Sequence, residues 1–269
     1  MLKDITLGQF FPGSSPIHKM DARFKLILTV AFIVMLFMAK NKWGLLIGAV
    51  FTLLTFLISR IPFTMMWKSI KPIIPLVMFT AVLNLFFVKT GEVLFEWQFI
   101  RITDEGLDTA VFMVSRIVLL IVGSSLLTYT TSPIDLTDAI ERLLSPLKRF
   151  GVPVHALAMM MTIALRFIPT LLEETDKIMN AQKARGSELD TGSFRDKVRG
   201  MIPIFIPLFV SSFRRAEELA TAMECRCYHG GEGRTRMKQL HITYIDWIGC
   251  VYMAIFIAGV VAANIIIQS

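Results

Sequence analysis

The sequence predicts an all-α integral membrane protein, with about five transmembrane helices and a cytoplasmic coupling region of long amphipathic helices. Three observations carry that prediction. Hydrophobic residues make up 54% of the 269 and mean hydropathy is +0.61, while charged residues reach only 18%, against about 25% in soluble domains. The apolar residues are gathered into blocks rather than interrupted as in a globular core. The loops between blocks differ in charge, as they do when a chain is threaded through a bilayer.

Four blocks occupy the first part of the chain, Phe24–Ala39, Gly44–Ile58, Pro72–Val88 and Phe112–Thr128, and a fifth, Ile248–Ile267, closes it. A span needs roughly 20 apolar residues, with about 17 as the lower limit. The first two are short and joined by Lys40-Asn41-Lys42-Trp43, a thin hairpin whose lysines can snorkel toward headgroups. Lys3, Lys19, Arg23, Lys25, Arg60, Lys68 and Lys71 place the leader and the second loop in the cytoplasm. Residues 89–108 carry Glu92, Glu96, Asp104, Glu105 and Asp108 and belong outside. The expected topology is multi-pass in the cell membrane, N-terminus cytoplasmic and C-terminus extracytoplasmic. Lys40 and Lys42 fall on the acidic side, against the trend.

The same composition excludes other classes. The net charge of +7 reads as positive-inside loops, with the lipid bilayer and not nucleic acid as partner. Cys225, Cys227 and Cys250 cannot build a disulfide framework. The leader, with Asp4, Gln9, Pro12 and Pro16 before any apolar run, lacks the layout of a signal peptide.

These limits give three regions: 1–128, the N-terminal membrane part; 129–243, the coupling region; and 244–269, the last span. The middle region opens on Ser132-Pro133-Ile134-Asp135, a Ser cap followed by Pro at the first helical position. Leu136, Ile140, Leu143, Leu144 and Leu147 then recur at helical spacing until Pro146 and Gly151 end the element. Next comes a long helix from about Pro153 to Ala184, roughly 45 Å at 1.5 Å per residue. A second apolar-then-charged element runs from Met201 to Cys225, through Pro203 and Pro207, and the turn Gly230-Gly231-Glu232-Gly233 follows.

The two long elements share one design. Each starts greasy with proline, turns charged, and finishes on an Arg flanked by small residues, Ala184-Arg185-Gly186 and Cys225-Arg226-Cys227. Four and seven residues before Arg185 stand Ala181 and Ile178, and the same steps before Arg226 reach Ala222 and Leu219. Those positions share the arginine's helix face, forming a narrow stripe suited to close packing on a partner. The greasy starts, Ala156–Ile168 and Met201–Phe213, are read as cytoplasmic arms rooted at the membrane boundary. If both crossed the bilayer, Arg185, Arg195, Lys197 and Arg199 would lie outside. A cation at a helix C-terminus can also merely complement the dipole, but two tips with the same stripe favour docking.

Other signals are weaker. Cys225-x-Cys227-x-His229, with His241 beyond, has poor spacing for a tetrahedral zinc site, so no metal is assigned. Arg116 inside the fourth block is read as structural, snorkelling or pairing with a helix end. Asn84, Ser124 and Ser125 suit hydrogen bonds between helices. Glu173 and Glu174 sit on the solvated part of the first arm, or pair with Arg214 and Arg215 on the second. Met159, Met160 and Met161 fill a core or offer an adaptable surface for exchangeable partners. No Gly-x-x-x-x-Gly-Lys-Ser/Thr, His-Glu-x-x-His or Gly-x-Ser-x-Gly occurs. The chain is read as a non-enzyme without cofactor.

At the level of motifs the chain resembles the transmembrane T component of energy-coupling factor transporters, ABC-type importers of vitamins and trace metals. The resemblance rests on the leader Pro12-Gly13-Ser14-Ser15-Pro16-Ile17-His18-Lys19-Met20-Asp21-Ala22-Arg23-Phe24-Lys25, on Thr130-Thr131-Ser132-Pro133 and on Arg166-Phe167-Ile168-Pro169-Thr170-Leu171. Its strongest part is Ala181-Gln182-Lys183-Ala184-Arg185-Gly186. In that family two Ala-Arg-Gly-like motifs cap two coupling helices, and each Arg docks into one of two ATP-hydrolysing subunits. The resemblance implies that role for Arg185 and Arg226, and a small membrane substrate-binding S component, or several interchangeable ones, as the further partner. Cys225 and Cys227 depart from the pattern, and the missing Gly leaves open how the second helix reaches its left-handed end. A dedicated cobalt or nickel importer subunit is the alternative within the family, and a stand-alone secondary transporter the alternative outside it. The latter calls for charged midplane residues and symmetric halves, and neither is visible.

Overall fold

The computed structural model describes residues 10–88, 90–97, 100–186, 194–230 and 241–268. The polar link 187–193 and the 231–233 part of the glycine turn lie outside the described residues. The chain divides into two compact units, one made of Gly8–Ala139 with Leu240–Ser269 and the other built on Ile140–Gln239.

The first unit begins with α1 (Pro16–Lys19), α2 (Ala22–Met38) and α3 (Lys42–Ser59), followed by α4 (Phe63–Ile70), a tight turn at Lys71–Ile73 and α5 (Ile74–Phe87). After a hairpin come α6 (Asp104–Thr130), α7 (Pro133–Leu143), whose end belongs to the second unit, and later α10 (Tyr244–Gln268). The second unit holds α8 (Val154–Ala184) and α9 (Phe194–Cys225). Among the described residues the fold is all-α apart from β1 (Val93–Trp97) and β2 (Ile100–Thr103), an antiparallel pair with Val93 opposite Thr103 and Trp97 opposite Ile100. Sequence reasoning leaves that stretch as loop. Its β-branched and aromatic residues suit a pleated surface, but it is too short to announce itself among the helices.

Among the described residues five helical stretches are long and apolar enough to cross a membrane: Lys42–Ser59, Phe63–Phe87, Asp104–Thr130, Val154–Ala184 and Tyr244–Ile266. This is a multi-pass membrane protein. α2, with 17 residues, stands at the short end of what spans. Several helices run further than their apolar blocks because their ends are capped. Thr103 accepts the Gly106 N–H at 3.2 Å and donates to the Val88 carbonyl at 3.0 Å, and Asp104 and Glu105 complement the dipole of α6. At α7, Ser132 Oγ accepts from the Asp135 N–H at 3.1 Å and donates to its carboxylate at 2.7 Å, the cap expected from Ser-Pro-Ile-Asp.

The core of this unit forms where α2 and α3 each pack on both α6 and α10. Phe32, Leu36, Met253, Phe256 and Val260 are buried there, and Phe51 stacks between Tyr252 and Phe256, 4.4 Å from each ring centre. Gly123 permits the close approach of α6, since a Cβ there would stand 2.1 Å from Phe32 Cε1.

Arg116 behaves as a structural residue. Its guanidinium donates to the Ala39 carbonyl at the end of α2 and lies over the Phe112 ring at 4.5 Å. Asn84, Ser124 and Ser125, expected to bond between helices, donate instead to Thr80, Ile121 and Val122 carbonyls of their own helices. Short polar side chains reach the carbonyl three or four residues back more easily than a neighbour. Lys42 finds Asp108 at 2.6 Å, which accounts for a base on the acidic side of the chain.

The leader is a knot. Ser15 accepts from the His18 N–H, and His18 Nε2 donates to the Phe11 carbonyl at 3.0 Å, leaving Nδ1 to accept from Ser15 at 2.7 Å. Asp21 caps α2 and holds Arg23 through both carboxylate oxygens, while its own N–H donates to Asp246 Oδ1 at 2.8 Å. Asp246 is fully buried, and its Oδ2 accepts the Thr243 N–H at 2.6 Å, closing a capping box on α10. Lys25 is buried too and donates to the Thr130 carbonyl at 2.8 Å and the His18 carbonyl at 3.2 Å. Three segments distant in sequence, the leader, the end of α6 and the start of α10, are thus fastened by a few buried polar groups.

Burial holds His18 below the usual imidazole range, against the Phe11 hydrogen bond that raises it, and the nearby Lys25 charge lowers it further. A depressed folded value means that the unfolded leader binds the proton more readily. The knot therefore loses stability as pH falls below about 6.5 and through the lower folded value. Amide exchange at residues 15–25 is expected to speed up across that window, and His18→Gln should flatten the dependence.

Candidate functional site

The second unit presents both arginine tips. α8 is 31 residues long and α9 is 32. At the end of α8, the Arg185 N–H donates to Ala181 and Gln182 carbonyls at 3.2 and 3.1 Å. Gly186 then donates to Lys183 at 3.0 Å with φ +85°, in the left-handed region. At the end of α9, Cys227 donates to Glu224 at 2.8 Å and Tyr228 to Met223 at 3.0 Å, the paired bonds of a Schellman closure. Cys227 takes φ 56°. The position that a Gly fills at the first tip is filled at the second by a Cys in the same left-handed conformation, so both arginines occupy the same place at a helix end.

A non-glycine side chain in that region costs on the order of 1 kcal/mol. Cys227→Gly is expected to stabilise the α9 end by about that amount. Slower amide exchange at Tyr228 would register the gain, and an unchanged or faster rate would count against it.

The arms run antiparallel. Arg215 of α9 meets Glu174 of α8 at 3.0 Å, the second of the two readings open for that acid. Nearer the α8 tip, Gln182 Nε2 donates to the Pro203 carbonyl at 3.4 Å. That carbonyl is free because Pro207, four residues on, has no N–H to offer it. At the opposite end a cavity of about 350 Å³ is lined by Met159 and Ile163 of α8 and by Leu219, Met223 and Arg226 of α9. Arg226 therefore lies beside the start of α8 while Arg185 lies at its end, some 22 residues beyond Ile163, roughly 35 Å at 1.5 Å per residue. At the foot of the first arm, His155 Nδ1 donates to the buried Glu141 carboxylate of α7 at 3.0 Å.

All six tip residues, Ala184, Arg185, Gly186, Cys225, Arg226 and Cys227, are exposed. Of the stripes beneath them, Ala181 and Ala222 are exposed and Ile178 is half-buried, whereas Leu219 turns into the cavity against α8. The stripe on α9 is thus divided between partner-ready and internal surface. Cys225 and Cys227 are free thiols, and among the described residues no cluster of three or more His, Cys, Asp or Glu is gathered.

A feature missed in the sequence is the outer face of α9. Met201, Ile202, Phe205, Ile206, Phe209, Val210 and Phe213 are all exposed, while Ile204 is buried. The exposed set recurs at steps of one, then three, which is one continuous helical face. The run Met201–Phe213 is evenly apolar, so its direction becomes visible only once α8 claims the other side.

Residues 13–237 match the family described as cobalt transport protein, CbiQ. The chain is 52% identical to the energy-coupling factor transporter transmembrane protein EcfT of Ruminiclostridium cellulolyticum, over 97% of both chains. It is 55% identical to the protein of the same name from Clostridium kluyveri, over 92% of both. With the Bacillus subtilis EcfT it shares 45%, over 89% of this chain and 91% of that one. Similarity at this level along almost the whole length, on a multi-pass helical fold, means that the chain belongs to the EcfT family of energy-coupling factor transporter transmembrane proteins.

Proposed function

We propose that this protein is the non-catalytic scaffold and coupling subunit of an ATP-driven micronutrient importer, with vitamins as the substrate class. Arg185 and Arg226 each dock into one of two cytoplasmic ATPases, and the antiparallel arms carry the closing motion of those ATPases to the membrane. The supporting observation is the matched pair of ends: two exposed arginines, each followed by a left-handed residue, at opposite ends of one braced helix pair. Arg suits that task because its charge is permanent and its forked donors match carboxylates and carbonyls. The exposed apolar face of α9, from Met201 to Phe213, supports docking of a small membrane S component. In this reading α2 spans despite its length, and the leader is inside and the end of α10 outside. α8, though long and apolar enough to cross, is with α9 a cytoplasmic arm rooted at the membrane boundary. The Lys42–Asp108 pair then lies at the outer surface.

A dedicated cobalt or nickel importer subunit is the second reading, favoured by the description of the matched family. Affinity purification from gently solubilised native membranes separates the two. Two ATPase species with several different small membrane proteins is the expected result. One ATPase species with a single fixed membrane partner would support the dedicated importer. Recovery of the chain alone, in a detergent that preserves complexes, would contradict both.

A further inference from the structure

Among α2, α3, α6 and α10, on the side of the leader, lies a cavity of about 250 Å³. Its floor is the aromatic cluster of Phe32, Phe51 and Tyr252, and its mouth is bounded by Ile17, Met20, Ile58 and Ile248. Along α3 it extends from Ile58 down to Phe51, seven residues or roughly 10 Å, within a leaflet whose hydrocarbon half is roughly 15 Å deep.

The hydroxyls on its wall are already donated to backbone carbonyls. Thr29, Thr52 and Thr130 donate to Lys25, Gly48 and Leu126 carbonyls at 2.7–2.8 Å. Thr55 and Tyr252 both donate to the Phe51 carbonyl, and two of the three Lys25 N–H groups go to the His18 and Thr130 carbonyls. The rest of the lining is almost wholly aliphatic and aromatic, including Leu28, Phe32, Leu126, Leu127 and Met253. What fits such a wall is hydrocarbon.

The mouth adds a sign of charge. Lys19 is exposed between the lining residues Ile17 and Met20, and exposed Arg60 follows Ile58 by two positions. Ile58 and Ile248 are themselves exposed, so the cavity is reached from the protein's apolar surface. We propose that this cavity holds one acyl chain of a membrane phospholipid from the leaflet on the leader's side, with the lipid phosphate against Lys19 and Arg60. A lipid bound there fills the space between the leader knot and the aromatic floor, making the bilayer part of the core that fastens the N-terminus.

The test is native mass spectrometry of the full chain, purified in mild detergent with whatever partners it carries, together with analysis of extracted lipid. One phospholipid per chain is expected to survive washing. Thr52→Phe, which fills the cavity from its buried wall, and Ile248→Trp, which fills it from the exposed mouth, should each lower retention by about tenfold. Leu54→Trp, exposed on α3 and outside the cavity, should leave retention unchanged. Because Ile248 lies on the surface, that variant keeps the test intact if Thr52→Phe does not fold. A wild-type chain without retained phospholipid, filled variants that retain as much as wild type, or an equal loss in Leu54→Trp would each overturn the proposal. None of these readouts depends on ATPase docking.

Discussion

Arg185→Glu combined with Arg226→Glu is expected to abolish co-purification of the ATPase subunits while the protein still inserts into the membrane and elutes as a folded species. Both side chains are exposed, Arg226 at the rim of the cavity between the arms. Their closures use backbone groups only, so the substitutions leave both helix ends closed as before. Truncating a hydrogen-bonded interfacial charge costs roughly 2–5 kcal/mol, and reversing it adds repulsion from whatever acidic groups receive it. Two such losses together remove a complex of ordinary affinity. Arg185→Lys and Arg226→Lys should be intermediate, since they keep the charge and lose the fork. Full co-purification of the doubly reversed protein would show that the tips merely complement their helix dipoles.

The second large effect belongs to Asp246. Asp246→Ala removes the acceptor of two N–H groups, those of Asp21 and Thr243, in a site with no exposure to solvent. A buried donor left unmade costs about 1–3 kcal/mol, and the Asp21 N–H is buried while that of Thr243 is partly so. A loss of roughly 2–4 kcal/mol is therefore expected, a large part of the ~5–15 kcal/mol that holds a typical fold. Thermal unfolding in detergent should show a lowered midpoint, and residues 15–25 should exchange their amides faster. Asp246→Asn keeps one acceptor and should fall between. Unchanged unfolding in the Ala variant would mean that the leader is not fastened through this carboxylate.

How much of this was legible in the sequence follows from the range of each interaction. The arginine tips were readable because their repeat is local: Ala181 to Gly186 and Ala222 to Cys227 each lie within two turns. The Glu174–Arg215 pair was readable as a charge pattern on two arms of similar design. The leader knot was not, since Asp21 and Asp246 stand 225 residues apart and nothing in either segment names the other. Part of it could have been found, because Thr243-Tyr244-Ile245-Asp246 has the spacing of a capping box. The left-handed end at Cys227 ran against the usual preference for Gly, and only the backbone shows that the closure wins there. The outward face of α9 and the inward turn of Leu219 depend on which side α8 covers, and a uniformly apolar run carries no record of that. The lipid-facing cavity is of the same kind, assembled from four helices whose separate sequences show only apolar spans.

The central claim is that each arginine tip holds one ATPase. It is tested most directly by counting ATPases per chain in the purified assembly by native mass spectrometry, for the wild type and for Arg185→Glu and Arg226→Glu singly. Two per chain in the wild type, and weakened occupancy with a different ATPase position emptied by each single variant, is the predicted result. Two firmly retained ATPases in both single variants would contradict it.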